Sequence, residues 1–479
     1  MTHDIDILIA GAGPTGLGAA WRLDAVGHTE WLVCEASDEP GGLASSVVDS
    51  DGFTWDLGGH VQFSHYQYFD DLMDELLGPD GWLYHQRESW VWLLDRFVPY
   101  PFQLNLHRLP EADTQVCVRG LISAACGADA ARVEPSHFAD WITASFGTGI
   151  ADLFLRPYNR KVWAYPLESL ACDWTGDRVA RVDLPRLVRN LATGNDDVAW
   201  GPNNEFRFPR RGGTGAIWRA LAARLERRHP DRFLRRSRIA RVDAAAHQVH
   251  FESGDTIRYR YLISTMPLDE LIRISDFAGA LGAAAGELRY SSTHVVGIAL
   301  TGAPPADLRG KCWMYFPESN CPFYRVTVFS HYSPNNVPDP SRFWSLMAEV
   351  SESSEKPVDR SRVVVDTVDG LLATGLARTR AQVHHTWHRR LEHGYPTPTR
   401  TRDRVLKIIH PSLEASQIYS RGRFGAWKYE VSNQDHSFAQ GVECVDRIIS
   451  GRVEETFHHP DAVNARRSRP RRFAERVVS

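Results

Sequence analysis

The sequence lacks long apolar runs and an excess of basic charge. Its longest apolar stretches, such as residues 5–10, fall far short of the roughly 18 to 20 residues that a membrane helix needs. Its 55 Lys and Arg residues are outnumbered by 59 Asp and Glu residues, which gives a formal charge of −4. No overall basic field exists to attract nucleic acid or an anionic membrane. The sequence therefore predicts neither kind of partner.

Cysteine is also scarce. The seven cysteines contain no CxxC pair, and an odd, unpatterned set is typical of reduced thiols rather than of a disulfide framework or a zinc site. We therefore predict no metal. The N-terminus has no basic segment followed by an apolar leader, so it does not read as a secretory signal. We expect a cytoplasmic protein.

A strand, a glycine-rich turn, a helix and a second strand follow one another in residues 5–35. The turn is a GxGxxG in the context that a dinucleotide-binding fingerprint requires. Gly11 permits the tight turn, Gly13 lets the backbone approach a pyrophosphate, and Gly16 allows the helix to pack closely. Glu35, at the end of the second strand, is placed to accept ribose hydroxyls.

Two further glycine pairs favour FAD over a nicotinamide cofactor. The pairs are Gly41-Gly42 and Gly58-Gly59, where backbone without side chains could lie against a flat ring. A single nicotinamide fingerprint does not need them. The combination resembles FAD-containing amine oxidases and their relatives, and we predict FAD as the cofactor.

At 479 residues the chain is too long for one simple core. Residues 110–200 have helical patterning, and residues 290–350 are rich in strand-forming residues. We predict an α/β protein with a Rossmann-like FAD-binding domain, an inserted helical lobe and an inserted antiparallel-sheet lobe. The predicted segments are 1–98, 205–285 and 415–455 for the discontinuous FAD-binding domain, 99–204 for a mainly helical substrate and flap lobe, 286–414 for a sheet-rich substrate lobe, and 456–479 for a basic C-terminal tail.

Arginines beside aromatic residues indicate an anionic substrate. Arg178 and Arg325 both lie among apolar or aromatic residues rather than in charge runs. Their guanidinium groups suit bidentate contacts with a pyrophosphate. The sequence has no HExxH and no GxSxG, motifs that would indicate a metalloprotease or a serine hydrolase. We therefore expect the cofactor to carry the chemistry while the protein orients the substrate.

Long segments of the chain resemble the eukaryotic-type UDP-galactopyranose mutases of fungi and trypanosomatid parasites. The matching segments are residues 11–20, 58–61, 63–66, 98–103, 156–159, 161–164, 206–209, 290–294, 311–313, 393–398 and 433–438. They are spread over nearly the whole chain and are far more specific than a glycine motif. Gln62, Ser432 and Lys428 depart from the family pattern, but none of them removes a proposed catalytic group.

The resemblance implies a flavin-dependent, redox-neutral isomerase that interconverts UDP-galactopyranose and UDP-galactofuranose. N5 of reduced FAD would be the nucleophile on the anomeric carbon, and NADPH would serve only to reduce the flavin. The partner would be a small UDP-sugar, and a homo-oligomer stays open.

Roles for individual residues follow from the glycine motif and the resemblance together. The predicted catalytic residues are His60, Arg178 and Arg325. The predicted cofactor-binding residues are Gly11, Gly13, Thr15, Gly16, Glu35, Gly42, Leu43, Gly58, Gly59, Arg423, Asn433, Gln434 and Ser437. The predicted substrate-binding residues are Tyr100, Phe102, Gln103, Asn159, Trp163, Asn203, Tyr315, Tyr332, Tyr395 and Tyr429. Arg87 is predicted to face NADPH.

Three alternatives stay open. The enzyme could be a mutase of another UDP-sugar, or a flavin amine oxidase-type oxidoreductase, against which the paired arginines and tyrosines argue. A binding module like the GDP-dissociation inhibitors would share the first domain without FAD, and the intact glycine motif with Glu35 weighs against it.

Overall fold

The computed structural model of the protein describes residues 2–126, 135–198, 201 and 204–466. The predicted Asn203 and residues 467–479 of the predicted basic tail lie outside these residues. The strands are β1 (Thr2–Ala10), β2 (Trp31–Cys34), β3 (Ser46–Val48), β4 (Thr54–Asp56), β5 (Trp82–Gln86), β6 (Ser89–Leu93), β7 (Arg96–Pro99), β8 (Glu205–Pro209), β9 (Phe233–Leu234), β10 (Ile239–Asp243), β11 (Gln248–Phe251), β12 (Thr256–Ser264), β13 (Tyr290–Thr301), β14 (Trp313–Tyr315), β15 (Arg325–Val328), β16 (Phe343–Glu352), β17 (Val383–Pro396) and β18 (Ile418–Ser420).

The α-helices are α1 (Pro14–Ala25), α2 (Gln67–Leu77), α3 (Glu111–Cys126), α4 (Phe138–Ile150), α5 (Arg156–Trp163), α6 (Leu184–Thr193), α7 (Gly215–Arg228), α8 (Leu268–Arg273), α9 (Ala278–Ala285), α10 (Phe329–Tyr332), α11 (Val363–Ala373), α12 (Arg402–Ala415), α13 (Gln434–Ser450), α14 (Glu455–His458) and α15 (Pro460–Asn464). Among the described residues, no helix is both long and apolar enough to cross a lipid bilayer.

The first sheet has the order β10-β11-β12-β1-β2-β9, and β18 pairs with β12. Its central strands are parallel, as the strand–helix–strand pattern predicts. Ile7 and Ile9 of β1 pack with α1, α7 and α13 on one face, and Leu8 packs with α8 and α12 on the other. Burial of both faces explains why this strand is a continuous apolar run rather than an alternating one.

The second sheet has the order β17-β13-β16-β15-β14-β6-β7, and its pairs are antiparallel except for β14 with β6. The segment predicted to be sheet-rich, 286–414, supplies five of these strands. The structure differs from the predicted boundary at residue 98, because β6 and β7 also belong to this sheet. Residue patterns identify short strands but not the sheet that they join, and here Ser89 pairs with Trp313 across the two segments.

The segment predicted to be helical contains α3 to α6 and has its own apolar core. The structure differs from prediction at the start of the basic tail. Residues 455–464 form α14 and α15, in which Thr456 and Val463 are fully buried. Apolar side chains of this stretch explain the docking, since Phe457 packs against the ring of His410 and lies under the guanidinium of Arg421.

Candidate active site

A cavity of about 1210 Å³ lies where the two sheets and the helical lobe meet. One part of its wall is built from glycine-rich turns of the first domain. Another part is built from arginine, tyrosine and tryptophan side chains. The predicted residues that line it are Gly11, Gly13, Thr15, Glu35, Gly42, Leu43, Gly58, Gly59, His60, Arg87, Tyr100, Arg178, Tyr315, Arg325, Tyr395, Arg423, Tyr429, Asn433, Gln434 and Ser437.

In the glycine part of the wall, Gly11 and Gly16 have no room for side chains. Gly11 has a φ of +108°, and a Cβ atom on it would lie 2.2 Å from Oγ1 of Thr265. A Cβ atom on Gly16 would lie 1.9 Å from the carbonyl oxygen of Gly11, so α1 begins directly against the end of β1. Gly13 and Gly42 face each other, and a Cβ atom on Gly42 would lie 3.5 Å from Cα of Gly13. These contacts leave an open, backbone-lined groove.

Two helices begin at this cavity without a side-chain cap. Gly13 precedes α1 and Asn433 precedes α13, and neither side chain caps its helix. Uncapped N–H groups and the helix dipole attract anions such as phosphate. Glu35 accepts a hydrogen bond from the Ala12 amide at 2.7 Å, and a carboxylate has further lone pairs for ribose hydroxyls. The residues present therefore fit a dinucleotide cofactor.

Arg325 and Glu349 form a buried ion pair in the other part of the wall. Nη2 of Arg325 donates to Oε1 and Oε2 of Glu349 at 2.7 and 2.8 Å. Glu349 is only 2% exposed and also accepts from the Gly59 amide at 2.8 Å and from the Tyr324 hydroxyl at 2.5 Å. Although burial opposes both charges, their attraction holds the pKa of Glu349 below its ordinary value and that of Arg325 well above it.

Arg178 and Arg423 are each held against a tyrosine ring. The guanidinium of Arg178 lies 4.8 Å from the ring centre of Tyr429, and that of Arg423 lies 4.8 Å from the ring centre of Tyr395. Nη2 of Arg178 donates to the Glu430 carbonyl at 2.8 Å, whereas its Nε is buried with no hydrogen-bond partner among the described residues. Arg178 therefore keeps donors for a ligand.

The tyrosines of the cavity contact one another. Ring centres lie 5.4 Å apart for Tyr100 and Tyr315, and 5.9 Å apart for Tyr395 and Tyr429. Burial raises the pKa of Tyr100 and of Tyr395. Both phenols stay protonated near neutral pH and can donate hydrogen bonds.

His60 lies on the Gly58–Gly59 loop between the two parts of the wall. Burial is the main reason that its pKa falls to about 4, with repulsion from Arg423 and Arg325 added to it and attraction to Glu349 opposing it. Its Nδ1 is buried without a hydrogen-bond partner among the described residues. The imidazole is therefore neutral at pH 7.

Five residues predicted to bind substrate do not line this cavity: Phe102, Gln103, Asn159, Trp163 and Tyr332. Phe102 and Trp163 are buried in the core of the helical lobe, and Tyr332 is buried among aromatic residues below the second sheet. The side chains of Gln103 and Asn159 donate to backbone carbonyls. Their assignment to the substrate stays a prediction. The predicted cofactor residue Gly16 also does not line the cavity. It lies against Gly11, where it lets α1 pack closely on the end of β1.

Glu349 and Trp313 are cavity residues to which the sequence analysis assigned no role. The guanidinium carbons of Arg87 and Arg325 each lie 5.6 Å from the ring centre of Trp313. Glu349 is the one charged residue within the otherwise uncharged run 343–351 of β16. A lone acid in a buried strand is a signal that could have indicated it, because such a charge needs a partner.

The family model for flavin containing amine oxidoreductases matches residues 14–432. The chain belongs to the flavin-containing amine oxidoreductases. One solved structure similar to this chain is that of a reduced UDP-galactopyranose mutase. It is 48% identical in sequence, the match covers 97% of this chain and 98% of that one, and the TM-score is 0.93.

Two other matches are weaker, one in sequence identity and the other in the length that it covers. The structure of a putative protoporphyrinogen oxidase from Exiguobacterium sp. 255-15 is 15% identical, with a TM-score of 0.66, over 94% of this chain and 99% of that one, and shows the fold alone. The 15-cis-phytoene desaturase of Glycine max is 40% identical over 72 residues. That match covers 15% of this chain and only 12% of the desaturase.

These comparisons confirm the predicted fold class, FAD as cofactor, an enzyme, and the resemblance to UDP-galactopyranose mutase. The eukaryotic subtype, NADPH and the individual site residues stay predictions.

Proposed function

We propose that the protein interconverts UDP-galactopyranose and UDP-galactofuranose without net oxidation or reduction. One observation carries the proposal: a single cavity combines a dinucleotide-binding groove with a wall that contains Arg178, Arg325 and several tyrosines. Paired arginines favour an anionic diphosphate and repel a cationic amine. This charge supports a nucleotide-sugar mutase over an amine oxidase.

FAD would be held mainly by backbone. The start of α1 at Gly13 would bind its diphosphate, Glu35 its ribose, and the start of α13 with Asn433 and Gln434 would lie against the rest of the cofactor. When bound and reduced, FAD supplies an electron-rich nitrogen nucleophile for the anomeric carbon of the sugar.

The arginines would stabilise charge on the leaving diphosphate. As the bond between the anomeric carbon and UDP breaks, negative charge grows on the phosphate oxygens, and guanidinium donors placed beforehand stabilise it without reorganisation. Arg325 is already oriented by Glu349, and Arg178 is supported by the Tyr429 ring. Both residues would also hold UDP close to the sugar while the ring reopens and recloses.

The remaining polar groups would position the substrate rather than exchange protons. The buried phenol of Tyr395, protonated because burial raises its pKa, would donate to a phosphate oxygen together with Tyr315 and Tyr429. Neutral His60 can offer one nitrogen as donor and the other as acceptor. A buried setting excludes water, which would otherwise compete for the activated sugar.

Several finer points belong to the same proposal. NADPH would be the reductant, and Arg87, which is 4% exposed and stacked over Trp313, would contact it or the flavin. Phe102, Gln103, Asn159 and Trp163 would reach uridine only if substrate binding rearranges the helical lobe. The proposal also includes a cytoplasmic location and a role in galactofuranose biosynthesis. It is compatible with a monomer and with a homo-oligomer.

The test uses purified protein in two redox states. Dithionite-reduced and air-oxidised samples are mixed with UDP-galactofuranose, and the formation of UDP-galactopyranose is followed by chromatography. We expect turnover by the reduced protein and none by the oxidised protein. Equal rates in both states would refute the proposed role of reduced FAD. UDP-arabinose tested in parallel distinguishes a mutase of another UDP-sugar, and oxygen consumption with an amine would favour the oxidase.

A further inference from the structure

Glu349 contacts both parts of the cavity wall with one side chain. It lies on β16 directly opposite Arg325 of β15. Both oxygens of its carboxylate, Oε1 and Oε2, accept from Nη2 of Arg325, at 2.7 and 2.8 Å. Oε1 also accepts from the amide of Gly59 at 2.8 Å. The same buried carboxylate therefore touches Arg325, which is proposed to bind the diphosphate, and the loop that carries His60.

The loop packs closely against Glu349 and is hydrogen-bonded to it. A Cβ atom on Gly59 would lie 3.0 Å from Oγ1 of Thr327, 3.2 Å from Nε1 of Trp313 and 3.3 Å from Oε1 of Glu349. A side chain at Gly59 would therefore crowd three neighbouring side chains, one of them the carboxylate that accepts from its amide. A shift of the carboxylate therefore requires a shift of Gly59, since a buried charge that loses its donors is strongly destabilised.

Arg325 is also held in place by Glu349. Its side chain is 18% exposed, whereas that of Glu349 is 2% exposed, so the guanidinium is the more accessible member of the pair. A ligand that draws the guanidinium forward must change its hydrogen bonds to Glu349. The change then reaches Gly59 through a single atom, Oε1, which both groups share.

We propose that Glu349 is a positioning residue that couples the diphosphate part of the site to the cofactor part. It orients Arg325, and it transmits occupancy of Arg325 to the Gly58–His60 loop beside the cofactor. The proposal rests on the proposed function of the site only in taking UDP as the diphosphate ligand. Coupling between two sites is reciprocal: UDP must alter the flavin potential, and flavin reduction must alter UDP affinity by the same factor.

The test measures this coupling in the purified holoprotein without turnover. The midpoint potential of the flavin is determined with and without saturating UDP, and UDP affinity is titrated in the oxidised and the reduced states. In the wild type we expect a UDP-dependent shift of potential with a matching change in affinity. In Glu349→Gln we expect weaker UDP binding and loss of most of the shift. A variant that retains FAD and the full wild-type shift would overturn the proposal.

Glu352→Gln is the matched control. Glu352 lies three residues further along β16, on its opposite face, and its carboxylate is held by Arg360 and Arg390. Loss of that carboxylate also breaks a partly buried ion pair, but it touches neither Arg325 nor Gly59. We expect its UDP affinity and potential shift to equal those of the wild type.

A second comparison applies where Glu349→Gln does not hold FAD. Arg325→Gln is compared with the double variant Arg325→Gln/Glu349→Gln, which leaves no unpaired buried charge. Because Glu349 also contacts Gly59, the double variant should have a different ligand-free flavin potential from the single one. Identical potentials would overturn the proposal. UDP coupling in a protein that does not isomerise UDP-galactofuranose would instead contradict only the proposed function.

Discussion

The two parts of the cavity wall are built by different means. The cofactor part depends on the absence of side chains, since Gly11 and Gly16 let a strand and a helix meet end to end and leave backbone N–H groups free. The substrate part depends on side chains that are held by one another, with Arg325 fixed by Glu349 and Arg178 by Tyr429. The core of the first part, from Gly11 to Gly16, is a local property of one turn. The second is assembled from strands far apart in the chain.

This difference sets how each part fails. The glycine groove fails sterically, because a side chain at Gly11 or Gly16 would collide with the atoms packed against it. A network of charged side chains fails electrostatically, because removal of one member leaves another buried without its partner. Changes in the first part should therefore abolish cofactor binding, and changes in the second should reduce affinity and rate in the bound enzyme.

The largest effect is expected at Gly16. Its replacement by alanine would place a methyl group 1.9 Å from the Gly11 carbonyl oxygen, which forces α1 away from β1 and opens the groove. We expect Gly16→Ala to purify without FAD. The measurement is the visible flavin absorbance of the purified protein relative to its protein absorbance. Gly279→Ala is the control, since nothing lies within 4 Å of its Cβ position in exposed helix α9. It should keep FAD and gain about 0.5 to 1 kcal/mol in stability.

Loss of Arg325 should leave the cofactor bound and damage catalysis. We expect Arg325→Ala to lower kcat/KM for UDP-galactofuranose at least about tenfold, equivalent to about 1.4 kcal/mol of transition-state stabilisation. The variant should also melt at a lower temperature, because Glu349 stays buried without its cation. Arg360→Ala is matched to it, as Arg360 pairs with Glu352 from an exposed position. Unchanged kinetics in Arg325→Ala would remove the residue from the site.

Much of the fold and of the cofactor groove could be predicted from the sequence because both depend on local patterns. The order of strand, GxGxxG and helix in residues 5–23 dictates one geometry whatever follows. The apolar run of β1 predicts a strand buried on both faces. The sheet to which β6 and β7 belong could not be predicted, since β6 joins it by pairing with β14, which lies more than 200 residues away.

The substrate part of the wall was only partly predictable. Arg178 and Arg325 could be selected because neither belongs to a run of charged residues, and both line the cavity. Glu349 was missed because its role depends on register: only the pairing of β15 with β16 places it opposite Arg325. Trp163 shows the opposite difficulty, since a resemblance predicts contact with a ligand whereas its ring is 1% exposed in the lobe core.

His60 lies where the two parts of the wall meet, and its burial predicts a pH dependence of stability. Burial lowers its pKa to about 4 in the folded protein, against an ordinary value of about 6.5. Between these values the unfolded chain binds a proton at this side chain and the folded chain does not, so acid destabilises the fold as pH falls from about 6.5 to 4. We therefore expect the melting temperature of the wild type to fall relative to His60→Gln over this range. A constant difference from pH 7 to pH 4.5 would contradict a buried, neutral imidazole at this position.

The smallest effect is expected from the hydroxyl of Tyr429. The ring supports Arg178 at 4.8 Å and packs against Trp163 at 4.8 Å and Trp174 at 5.5 Å, and Tyr429→Phe keeps all three contacts. Only one hydrogen bond to a phosphate is lost, worth about 1 kcal/mol. KM for the UDP-sugar should rise a few-fold while kcat stays near the wild-type value.

Tyr165→Phe separates this effect from a loss of stability. Its hydroxyl donates to the Tyr290 carbonyl at 2.9 Å, outside the cavity, so its removal should lower the melting temperature without changing KM. If Tyr429→Phe instead reduces kcat/KM as severely as Arg325→Ala, charge is not what distinguishes the substrate part of the wall. The phenol would then be a principal anchor of the diphosphate, and the arginines would serve mainly to hold the tyrosine rings in place.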